Sequence, residues 1–164
     1  MPGRFTSYEE LAELLEKYVP AYMIEIEKLF RLVVFNYLFF NGEHLKIFSV
    51  LETPNGGYTL SPANDLVNTR IYVGDSDFAL DRGLFKDNFE SEEMKKNGHA
   101  GLKDFHEFSS RLEISTKRRD KLQELFLVRQ ATVEILIQRS FLNEQTKRAY
   151  MLHYQIKRNK LKIF

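Results

Sequence analysis

From Met23 to Phe40 the chain reads MIEIEKLFRLVVFNYLFF. Met23, Ile26, Phe30, Val33, Val34 and Tyr37 recur at helical spacing. Leu32, Phe35, Phe39 and Phe40 fill the other faces. A helix that is apolar nearly all round is stable only with apolar surroundings on every side, so it belongs in the middle of a domain. Its most apolar part, Leu29 to Phe40, is interrupted by Arg31 and Asn36 and is too short to span a bilayer. The surroundings it needs are therefore protein. Pro20 suits the first turn of this helix, and Asn41 and Gly42, which tolerate the left-handed backbone of helix ends, should stop it.

A chain of 164 residues with 43% hydrophobic content can wrap one such helix, and makes one domain more comfortably than two. We expect a single domain over residues 1–164. Lys and Arg number 24 against 23 Asp and Glu, a net charge of +1, so no global field recommends nucleic acid or a membrane as partner. Without cysteine there is no disulfide, thiolate nucleophile or Cys-ligated zinc. The N-terminal MPGRFTSYEE lacks the apolar core of a secretory signal. A soluble protein is expected, with the cytoplasm as the default compartment.

Helical signals dominate the rest. Thr6 and Ser7, each followed three residues later by a glutamate, can form a capping box opening a helix through Leu11, Leu14, Leu15 and Tyr18. Leu45 to Thr53 is rich in strand formers, PNGG at residues 54–57 has turn chemistry, and Tyr58 to Leu60 can return, which predicts one hairpin. Residues 64–97 read as irregular, with a short strand around Phe78 to Leu80. A helix from Lys103 carries Phe105, Phe108 and Leu112 on one face. A longer one over Lys117 to Arg139 follows, with the stripe Leu122, Leu125, Phe126, Val133, Leu136 and Ile137 interrupted by Arg129. A last helix, about Asn143 to Asn159, carries Tyr150, Tyr154 and Ile156. The fold class expected is mainly α (α+β), a helical bundle with one small hairpin.

Between the buried helix and the hairpin lies NGEHLKIFSV, residues 41–50, an amide, a carboxylate, an imidazole and an ammonium followed by apolar residues. With the helix before it, RLVVFNYLFFNGEHLKIFSV resembles the segment of HipA-like serine/threonine kinases in which a buried helix delivers a catalytic loop of the form N-x-D-x-H-x-K-N-[FI]-S. Further on, LSPANDLVNTRIYVGDSDFALDRGLF resembles that family's L-S-P-x-Y-D-L segment, whose aspartate binds metal. The likeness continues through SFLNEQTKRAYMLHYQIKRNKL and covers Ser7 to about Leu161. It implies a protein-kinase-like C-lobe that uses Mg²⁺ and ATP to phosphorylate protein. In such chemistry one carboxylate orients the substrate hydroxyl while an amide oxygen and a second carboxylate hold Mg²⁺ against the phosphates. By resemblance Glu43, His44 and Lys46 are the catalytic-loop residues and Asp65 is the metal ligand.

This copy departs from the pattern. Anchored on His44-Leu45-Lys46, the loop is one residue shorter than the family's, with Glu43 in place of the aspartate. A misplacement of about 1 Å can cost on the order of a hundredfold in rate. Ile47 replaces the metal-binding asparagine and offers no oxygen, and Asn64 replaces the tyrosine before Asp65. The eight glycines form no G-x-G-x-x-G and there is no G-K-[ST], so the phosphate cradle of an N-lobe is not among these residues. Two readings stand: a kinase C-lobe competent only with an N-lobe, or a degenerate pseudokinase that binds a separate N-lobe or an antitoxin-like protein. Without the resemblance, Glu43 and Lys46 are solvated loop charges, His44 a local hydrogen-bonding residue and Asp65 a turn cap after Pro62.

Other constellations fall away. Asp75, Asp77 and Asp81 imitate the opening of a calcium loop, but Leu80 stands where its glycine belongs and Lys86 at its twelfth position. The four histidines lack H-E-x-x-H spacing, and G-x-S-x-G does not occur. The basic clusters Lys117–Arg119 and Lys157–Lys162 read as solvated helix ends in preference to nucleic-acid contacts.

Overall fold

The computed structural model describes residues 6–39, 48–63, 68 and 76–162. They form seven helices and one two-stranded sheet, mainly α with a small hairpin, as the sequence predicts. Helix α1, Tyr8–Tyr18, opens on the expected capping box: Ser7 Oγ accepts the Glu10 N–H at 3.2 Å, and the Glu10 carboxylate accepts the Ser7 N–H. Its first-turn N–H groups, which have no intrahelical partner, go elsewhere. Tyr8 N donates to the Gly83 carbonyl at 3.0 Å and Glu9 N to that of Leu84 at 3.1 Å, which fixes α1 to the later loop.

Helix α2, Tyr22–Phe39, is the central element. Leu29, Phe30, Val33, Val34 and Tyr37 are wholly buried, and the helix packs against α1 and strand β2 (Tyr58–Leu60), and against α5 (Thr116–Leu127) and α7 (Glu144–Lys160). Pro20 precedes α2, in a turn with Ala21. Strand β1, Val50–Glu52, pairs antiparallel with β2 in the register Val50 to Leu60, and Thr53 closes the PNGG turn with Gly57. Glu25, 5% exposed on α2, accepts the Leu60 N–H at 2.7 Å and so joins the central helix to the end of the hairpin.

The remaining helices are α3 (Glu92–Asn97), α4 (Leu102–Arg111) and α6 (Ala131–Arg139). Several expectations need correction: first, residues 92–97, within the stretch read as irregular, form helix α3. Residues 78–80 are bend, not strand: Phe78 and Leu80 are both buried, and Ala79 N donates to Tyr8 Oη at 3.3 Å in place of a neighbouring strand. The long helix over 117–139 is two, α5 and α6, because the backbone turns extended at Val128 and Gln130, where Gln130 Nε2 donates to the Leu125 carbonyl. That break leaves Leu125 and Leu136 exposed, while Leu122 and Ile137 stay buried. Finally, Lys117, Arg118 and Arg119 occupy the first turn of α5, where the dipole disfavours cations, and Arg118 is accounted for by a two-pronged pair with Glu27 on α2. No helix of the described residues is long and apolar enough to cross a membrane.

Candidate functional site

Glu43, His44, Lys46, Ile47, Asn64 and Asp65, the residues to which the resemblance assigns chemistry or its loss, lie outside the described residues. What the structure defines is the frame on either side of them.

Phe39 ends α2 and is the last described residue before the loop. Its backbone carbonyl belongs to the final helical turn, which has no intrahelical donor. Two side chains supply one: Asn68 Nδ2 at 2.8 Å and Tyr150 Oη at 3.0 Å. Asn68 lies three residues beyond Asp65, so the stretches carrying the two motifs are tied to one another at their described borders. Burial pushes the Tyr150 hydroxyl above its ordinary range, only partly offset by its bond to Asn68, so it stays protonated and able to donate. The Phe39 ring stacks on Tyr154 of α7, with centroids 5.2 Å apart. Where the chain resumes, Phe48 is buried and meets Tyr8 edge-on at 5.1 Å. Ser61 N then donates to the Ser49 carbonyl at 2.7 Å, which extends the hairpin's pairing to the start of the S-P-A-N-D stretch.

Beyond the second motif the chain re-enters at a buried ionic cluster. Asp77 takes Lys157 Nζ at 3.1 Å and His99 Nδ1 at 2.6 Å, and both Asp77 and Lys157 have side chains less than a tenth exposed. The Lys157 ammonium also lies 4.4 Å from the Tyr37 ring centroid, and Tyr37 Oη donates to the Ala100 carbonyl at 2.6 Å. Burial pushes the Asp77 carboxyl up, but the Lys157 charge and the His99 bond pull it further down, and it settles below the usual carboxylate range. A carboxylate held this way by an ammonium is not offered to a metal. Among the described residues no three His, Asp or Glu side chains gather as a metal site.

Sequence reasoning missed this cluster and misread its partners. Lys157 and Arg158 are buried, at 4% and 9% exposure, not solvated at a helix end. The signal was present in the spacing: Tyr150, Tyr154, Lys157 and Arg158 fall at i, i+4, i+7 and i+8, on the face that α7 turns inward.

A family model described as the HipA-like C-terminal domain matches residues 2–137. The match contains both motif segments and ends within α6, so α7 lies beyond it, although the likeness by motif runs on to about Leu161. A comparison with curated proteins found no match.

Proposed function

Because the chain belongs to the HipA-like C-terminal domain family, we propose that it is the C-lobe of a HipA-like serine/threonine protein kinase, and that these 164 residues alone do not transfer phosphate. In this reading Glu43 orients the substrate hydroxyl, His44 and Lys46 support the loop, and Asp65 is the carboxylate that faces Mg²⁺ and ATP. The observation that carries it is the bond from Asn68 to the Phe39 carbonyl at 2.8 Å. A kinase site needs its catalytic loop and its metal-binding segment side by side, and this bond joins the borders of the two stretches where the sequence places Glu43 and Asp65.

The donor set does not fit the metal fully. Mg²⁺ demands a near-octahedral shell of oxygens, and Ile47 stands where the family supplies an amide oxygen. Asp65 is then the one metal-facing carboxylate the motifs retain, so these residues alone do not hold a metal-bridged nucleotide. Ile47 also favours a second reading, a non-catalytic pseudokinase that pairs with a separate N-lobe or an antitoxin-like protein.

Incubation of the purified chain with labelled ATP, Mg²⁺ and a protein acceptor is expected to give no transfer above background. Robust transfer that disappears in Asp65→Ala would overturn the proposed inactivity while supporting the assignment of Asp65.

A further inference from the structure

We draw no further inference here: the strongest candidate, the groove between α4 and α5 that Gln123 lines with a buried amide nitrogen lacking a hydrogen-bond partner, mixes Lys117 and Lys121 with Asp120 and Glu124, and nothing in the structure shows what covers it.

Discussion

Asp77 and Lys157 show how single residues hold the frame of the candidate site. Removing one member of a buried pair leaves an uncompensated charge, so Lys157→Met should cost about 3–5 kcal/mol in chemical unfolding at neutral pH. Asp77→Asn combined with Lys157→Met should cost much less, because neither charge is then stranded. The pH dependence has a definite sign. The folded Asp77 carboxyl lies below the ordinary aspartate value of about 3.9. Its stabilisation is therefore present above about pH 4 and is lost as pH falls through the depressed folded value. The stability gap between wild type and Lys157→Met should close in acid, and a gap that stays constant down to about pH 3 would remove the ion pair from the account. Neither residue was legible as a partner of the other. Sequence spacing reports on local neighbours, and this pair joins a loop near the middle of the chain to the last helix, whereas the Ser7–Glu10 cap was legible because both its partners sit within one turn.

At the scale of elements, the central helix was legible because its composition admits one environment only, and the hairpin because PNGG leaves the chain little choice but to reverse. The break between α5 and α6 was not. The apolar stripe resumes at Val133 after a single interruption at Arg129, and what ends the helix is extended backbone at Val128 and Gln130, residues that carry no breaker signal. The same limit applies at residues 78–80, where F-A-L alternates like a strand but no neighbouring strand exists among the described residues for it to join. The contact most telling for function is Glu25 with Leu60, since it sets where the hairpin delivers the chain toward Asp65. Burial raises the Glu25 carboxyl, yet the Lys28 ammonium and the Leu60 N–H together bring it below its ordinary value, so it is ionised and accepting at neutral pH. Glu25→Ala leaves the Leu60 amide buried without a partner and should cost about 1–3 kcal/mol. Hydrogen exchange at Leu60 should accelerate accordingly. An unchanged exchange rate there would mean that the strand pairing alone positions the end of the hairpin.

Taken whole, the molecule is a helical HipA-like C-terminal domain whose described parts bind the borders of two motif segments into one corner. The assignment of Glu43, His44, Lys46 and Asp65 rests on the family resemblance alone, because these residues lie outside the described ones and their sequence, read in isolation, is that of ordinary polar loop residues. The central claim is that this corner is a kinase site with a damaged catalytic loop. Its most direct test joins a family N-lobe ahead of Ser7 and compares two fusions at fixed ATP and Mg²⁺. One keeps the loop as it stands. The other carries Glu43→Asp, Ile47→Asn and one residue inserted between positions 43 and 44. The account predicts that the repaired fusion phosphorylates its protein acceptor about 10² to 10⁴ times faster, the usual worth of a positioned general base. Equal activity in the two fusions would contradict it, for Glu43 and its neighbours would then already do what the repair was meant to restore.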